Sequence, residues 1–176
     1  VSGKSTVARM LLRLVEPTAG TVDYDGVNLL KASSGTMRAM RRRIQIVFQD
    51  PFAALNPRMR VREILAEPFR IHGDRSRIDR EHLVGMLAEV GLEASALERF
   101  PHEFSGGQRQ RINIARALAL KPEFLVLDEP VSALDVSVGA QVVNLLRQLQ
   151  QTYGLTYLFI SHSMPLVRYL CDQVAV

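Results

Sequence analysis

The 176-residue chain carries 47% hydrophobic side chains, enough for one compact core or a core with a small subdomain, and that balance excludes a disordered chain. No apolar run approaches the roughly 20 residues of a membrane helix, so any membrane role is peripheral, and no signal peptide is visible. Cys171 is the only cysteine, which excludes an intrachain disulfide and a multi-cysteine zinc site and fits a reducing compartment, while the net charge of +4 leaves acidic partners open.

Gly3, Lys4, Ser5 and Thr6 lead straight into Val7, Ala8, Met10, Leu11, Leu12 and Leu14, a helical pattern predicted to close near Pro17. GKST is the back half of a P-loop, in which backbone N–H groups at a helix N-terminus cradle phosphates. In that pattern the lysine reaches the β- and γ-phosphates and the hydroxyl ligates Mg²⁺, roles that Lys4 and Ser5 fit. Thr21 to Tyr24, Asp25-Gly26 and Val27 to Leu30 predict a hairpin with a tight turn. Arg38, Arg41, Arg42 and Arg43 form the densest basic cluster, read as a solvated face, with nucleic acid, phospholipid headgroups or nucleotide as alternatives. Ile44, Ile46, Val47 and Phe48 predict a strand ending in Gln49.

From Pro51 to about Gly91 the character changes: prolines at 51, 57 and 68 interrupt the chain and helical spacings replace strand patterns. Ile78, Leu83, Val84, Leu87 and Val90 predict a helix with Asp79 as N-cap and Gly91 as stop. His72, His82 and His102 lack metal-ligand spacing and read as surface or packing residues. Ser105 opens a long predicted helix through Leu120, and Ser105 with Gln108 has the spacing of a capping box. Gly106 and Gly107 leave the N–H groups of that helix mouth bare, which weakens a helix but suits the approach of an anion.

Phe124 to Leu127 is a continuous apolar run of the kind that fills a strand buried on both faces, and Asp128, Glu129 and Pro130 end it. Neighbours on a strand point to opposite sides, so the two acids are expected to do different jobs. One can hold hydrated Mg²⁺ and the other can orient or deprotonate a water. Ser132 to Asp135 connect to a helix starting near Ser137, with a stripe at Val138, Val142, Leu145, Leu146 and Leu149. Tyr157 to Ile160 predict the next strand, ending in Ser161 and His162. Gln49, Asp128 with Glu129, and His162 thus finish three strands, and in a parallel sheet such ends share one edge.

GKST, the glutamine of VFQDP, FSGGQRQR, FLVLDEP, SALD and SHSM occur here in the order and approximate spacing of an ATP-binding cassette (ABC) ATPase, and the resemblance covers essentially the whole chain. Each piece alone is weak; SGGQ followed closely by LVLDEP and SALD is highly specific. QDPFAALNPRMRVREILAEPFRIHG, with PHEFSGGQRQR and DEPVSALDVSV, is similar to the subgroup that energises bacterial dipeptide and oligopeptide importers, some of whose members carry nickel or glutathione. The resemblance implies an α/β P-loop NTPase fold: a RecA-like parallel-sheet core, truncated at both ends, with an inserted helical subdomain. The expected division is 1–50 for the first part of the core, 51–115 for the helical subdomain and 116–176 for the rest of the core.

By motif match, Gly3, Lys4, Ser5 and Thr6 are expected to bind ATP phosphates, Ser5, Gln49 and Asp128 to hold Mg²⁺, and Glu129, His162 and Gln49 to form the catalytic group. Ser105, Gly106, Gly107 and Gln108 are expected to face the ATP of a second cassette, with Asp135 at the seam between the two. Implied partners are that second ABC ATPase subunit, alike or related, transmembrane permease subunits, and indirectly an extracytoplasmic solute-binding protein. The implied location is peripheral, on the cytoplasmic face of the inner membrane, with no specific nucleic acid expected. Departures from the family pattern are Val1 where many members have glycine, Phe104 for leucine before SGGQ, and Ser163, Met164 and Pro165 after His162. A soluble ABC ATPase acting on nucleic acid or ribosomes is the alternative, and a scaffold without hydrolysis is a third reading, opposed by intact Lys4, Asp128, Glu129 and His162.

Val1 falls inside the phosphate motif and Gln173 to Val176 read as the opening of a strand, so the chain is expected to be an internal fragment. Residues 1–176 alone are therefore predicted to fold poorly and bind ATP weakly, an expectation that a cooperative melt and tight nucleotide binding by this segment would contradict.

Overall fold

The computed structural model describes residues 3–175, so the Val1 departure and the last residue of the expected terminal strand lie outside it. Helix α1 (Lys4–Leu11) ends well short of Pro17. Arg13 adopts a left-handed φ of 52°, its N–H donates to Met10 O and that of Leu14 donates to Arg9 O, so a Schellman-type closure uses up the last carbonyls. Strands β1 (Asp23–Tyr24) and β2 (Val27–Asn28) form the predicted antiparallel hairpin, with left-handed Asp25 and Gly26 in its turn.

Helix α2 (Ser34–Arg43), absent from the sequence reading, is capped by Ser33, whose Oγ accepts from Thr36 N–H at 3.1 Å. It carries the basic cluster, and much of that charge is engaged. Arg38 donates to Ile71 O, Arg41 donates to the carbonyls of Leu12 and Arg13, and Arg43 pairs with Asp25 at 2.7 Å and Glu123 at 2.8 Å. The Arg43 hydrogen bond holds the Glu123 carboxyl below the usual carboxylate range.

Strand β3 (Ile44–Val47) is followed by four helices: α3 (Pro51–Ala54), α4 (Val61–His72), α5 (Arg80–Glu89) and α6 (Gly106–Leu118). Pro51 sits in the first turn of α3, as a helix start allows, and Asp79 caps α5 by accepting from His82 N–H at 2.9 Å. Pro68 lies inside α4 rather than breaking it. The lost N–H costs a backbone bond, but buried Ile64, Leu65 and Phe69 hold the helix against the core. Beyond α6 come β4 (Phe124–Asp128), α7 (Val136–Tyr153), β5 (Thr156–Ile160) and α8 (Met164–Leu170). Gln173 to Ala175 are not strand; they make no ladder bonds among the described residues.

The central sheet has the order β3-β4-β5, all parallel, with Ile44 opposite Phe124 and Phe124 opposite Thr156. Its middle strand is buried on both faces. Leu125 and Leu127 join a large cluster with Phe69, Leu87, Ile112 and the α7 stripe, while Val126 joins a smaller one with Ala8, Leu12, Met37 and Ile160. That two-sided burial is the physical reason for an apolar run without alternation.

The start of α6 packs against the start of α7. A Cβ on Gly107 would lie 2.3 Å from Val138 Cγ1, and one on Gly106 would lie 3.2 Å from Leu134 Cδ2. Gly107 therefore has a packing reason within this chain, in addition to the bare helix mouth that suggested anion binding. Gly107→Ala in the intact chain is expected to cost about 1–3 kcal/mol in urea unfolding, and Val138→Ala in the same molecule to restore most of it. A midpoint unmoved by Gly107→Ala would show that the two helices separate freely.

Candidate functional site

The parallel register sets the ends of β3, β4 and β5 along one edge, and the polar residues that follow each strand meet there. Asp128, the last residue of β4, is 2% exposed and accepts a hydrogen bond from Ser5 Oγ at 2.9 Å. Glu129 leaves the strand in a left-handed conformation, φ 47°, which a non-glycine residue adopts only at a cost. Several bonds hold it there. Its N–H donates to Ile160 O at 2.9 Å, extending the ladder with β5, and its carbonyl accepts from Ser132 N–H and Oγ at 3.2 and 3.1 Å.

The twist of that turn sends the Glu129 carboxylate away from Ser5 and toward the neighbouring strand ends. Its Oε1 lies 2.5 Å from His162 Nε2, and its Oε2 accepts from Gln49 Nε2 at 3.4 Å. Gln49 Nε2 also donates to Ser132 Oγ at 3.2 Å. The carboxylate is mostly sheltered, at 12% side-chain exposure, whereas the His162 ring is 65% exposed. A sheltered acid beside an open imidazole can hold a water or a phosphate oxygen at the mouth of the edge. The two acids thus have separate partners: Asp128 has α1, and Glu129 has the ends of β3 and β5.

The opening of α1 supplies the other half. Gly3 has φ 71° and ψ −7°, with nothing within 4 Å of where a side chain would begin. Among the described residues the first helical bond runs from Val7 N–H to Gly3 O, so the N–H groups of Lys4, Ser5 and Thr6 precede it at the helix mouth beside the exposed Lys4 side chain. Ser5 Oγ and Asp128 Oδ1 are hard oxygen donors 2.9 Å apart. Hard oxygens suit Mg²⁺, which Ser5 would ligate and Asp128 would hold through water. Gln49, also expected at the metal, donates to Glu129 and Ser132 at the same sheet edge.

Ser105, Gly106, Gly107 and Gln108 form the N-terminal mouth of α6. The capping box is made in both directions: Gln108 N–H donates to Ser105 Oγ at 3.3 Å and Ser105 N–H donates to Gln108 Oε1 at 3.0 Å. Leu134 and Val138 stand where side chains on Gly106 and Gly107 would begin. Asp135 is exposed at the start of α7, where its carbonyl accepts from Gly139 N–H at 2.7 Å. It borders an open, largely apolar groove of about 520 Å³ that also touches Glu129, Leu134, Val136, His162 and Leu166. Val136 on this groove is 92% exposed.

His82 and His102 lie edge-on to Phe69 and stacked on Phe100, and among the described residues no three His, Cys, Asp or Glu side chains cluster as metal ligands. Sequence reasoning missed the working position of Ser132 and the inward polar row of α6, Gln110, Asn113 and Arg116. The signal for the row was present, as three polar residues at a spacing of three among apolar neighbours.

The protein-family model described as ABC transporter matches residues 2–132. A provisionally named peptide import ATP-binding protein of Brucella ovis is 56% identical over 176 residues, covering 99% of this chain and 56% of that protein. The oligopeptide transport ATP-binding protein AppF of Bacillus subtilis is 52% identical, covering 99% of this chain and 54% of AppF. The chain therefore spans about half the length of these curated relatives. Among solved structures, the dimeric post-hydrolysis state of the ATP-binding cassette MJ0796 bound to ADP and Pi superposes with a TM-score of 0.78 at 29% identity, covering 96% of this chain and 73% of the other. With the family model matched over residues 2–132, on an α/β fold shared with a solved cassette, this chain belongs to the ABC transporter family.

Proposed function

We propose that this chain is part of the ATP-binding and ATP-hydrolysing subunit of an importer that takes up dipeptides or oligopeptides. The observation that carries the chemistry is the division of labour at the sheet edge: Asp128 against Ser5 at 2.9 Å, and Glu129 against His162 at 2.5 Å and Gln49 at 3.4 Å. The N–H groups at the α1 mouth and Lys4 bind the phosphates, with Thr6 supporting that site. Ser5 and Asp128 hold Mg²⁺, which when bound neutralises charge on the phosphate oxygens. Glu129 orients the attacking water and draws on its proton; His162, exposed beside it, touches the terminal phosphate; Gln49, bonded to Glu129, senses Mg²⁺ and the terminal phosphate.

A complete site needs a second cassette whose signature helix meets this P-loop, with Asp135 at the seam, a reading supported by the dimeric state of the solved cassette that shares this fold. ATP then acts as an adhesive between two half-sites, and its cleavage releases them. Support for import comes from the names of the relatives, peptide import in Brucella ovis and oligopeptide transport in Bacillus subtilis. Transmembrane permease subunits receive the motion near Gln49 and the Pro51 to Arg62 stretch, and an extracytoplasmic binding protein delivers the solute, which puts this subunit on the cytoplasmic face of the membrane. The basic cluster offers little to the nucleic-acid alternative, because Arg38, Arg41 and Arg43 already serve carbonyls and acids within the chain.

Glu129→Gln in the intact chain is expected to lower steady-state ATP hydrolysis by about 100-fold or more while ATP binding persists. An unchanged turnover rate removes Glu129 from the catalytic role. Asp128→Asn is expected to weaken Mg²⁺-dependent nucleotide binding several-fold, with little change when the metal is chelated; equal loss in both conditions argues for a fold defect. Mild-detergent purification of the intact chain from its own cells is expected to bring multi-helix membrane subunits with it, whereas recovery with nucleic acid or ribosomes alone would discard transport.

A further inference from the structure

We propose that Gln110 is a positioning residue for Glu129, acting through a buried hydrogen-bond row on α6 that ties the acidic turn to the segment following Gln49. The inference rests on Glu129 being the acid that handles water. Gln110 is fully buried, and its Nε2 donates to Pro130 O at 2.7 Å. Its Oε1 accepts from Asn113 Nδ2 at 3.4 Å, and Asn113, also fully buried, accepts from Arg116 Nη2 at 3.0 Å. Arg116 then donates through Nη1 to Ala54 O in α3 at 2.8 Å. The row therefore begins one residue after Glu129 and ends five residues after Gln49, the two side chains that meet over the site.

Its placement argues for more than filling the core. An apolar side chain would occupy the inner face of α6 without the desolvation cost of an amide. The Glu129–Pro130 turn, in contrast, needs anchoring, because Glu129 is held at φ 47°. Its N–H is tied to β5 and its carbonyl is tied locally to Ser132, while the Pro130 carbonyl is tied to α6 by Gln110. Without that third tie the turn can rotate about Pro130 and carry the carboxylate off His162. A second link reinforces the same path: the Arg109 guanidinium, on the outer side of α6, lies 3.9 Å over the Phe52 ring of α3. Displacement of α3 is thereby carried to the acidic turn through one helix.

The test uses the intact chain with Gln110→Met, which keeps length and apolar packing but removes the donor. Turnover is expected to fall about tenfold with KM for ATP unchanged, the pattern of a lost transition-state arrangement. Gln110→Glu gives an independent readout. A protonated carboxyl donates to Pro130 O and an ionised one cannot, and burial raises the carboxyl pKa. The ratio of its turnover to that of the parent is expected to fall as pH rises between about 6 and 9. Unchanged turnover in a folded Gln110→Met protein overturns the proposal, as does a flat ratio for Gln110→Glu, which decides alone if the Met variant does not fold. Glu129→Gln measured alongside separates the two ideas: if it abolishes hydrolysis while both Gln110 variants behave as the parent, the positioning role alone fails. If Glu129→Gln leaves hydrolysis intact, the role assigned to Glu129 fails and the proposal falls with it.

Discussion

Burial of β4 on both faces is the constraint from which the rest of the arrangement follows. Leu125 and Leu127 are closed in by the helices that follow β3 and β4, and Val126 by α1 and α2. A strand held from both sides cannot slip by one residue without driving its side chains into the opposite cluster, so its end is fixed in space. Asp128 and Glu129 inherit that fixity. The first carboxylate stays with α1, and the second, turned by a left-handed backbone, is delivered to its neighbours at the ends of β3 and β5.

The strands and the sheet edge were legible because their signals are local and strong. A four-residue apolar run ending in two acids, an Asp-Gly turn and an Asp79 cap each have one natural reading, and each element is found. Features decided by distant partners were not. Pro68 reads as a break, yet tertiary packing carries α4 through it. Leu12 and Leu14 continue a helical pattern, yet Arg13 closes the helix, assisted by Arg41 from another element. Arg38 to Arg43 read as a charged face, but nothing nearby in the chain reveals that Ile71, Glu123 and Asp25 would fold onto them.

Within the site, residue types were legible and pairings were less so. Asp128 and Glu129 have different partners, and Gln49 touches Glu129 and Ser132, pairings that no local sequence signal announces. The glycines at the α6 mouth show how one sequence feature can have two causes. Gly107 is demanded by Val138 of the same chain, whatever else approaches the helix mouth, so its presence alone does not prove a ligand.

The left-handed backbone of Glu129 has a consequence for how such a chain can change over generations. A side-chain-bearing residue in that conformation costs about 1 kcal/mol that glycine would not, so the acid sits where folding alone would favour its loss. The backbone alone therefore gives this residue no protection. Drift to glycine at this one position would ease the backbone at the expense of the contacts with His162 and Gln49, so the turn can be made sturdier only by giving up the carboxylate that joins the three strand ends.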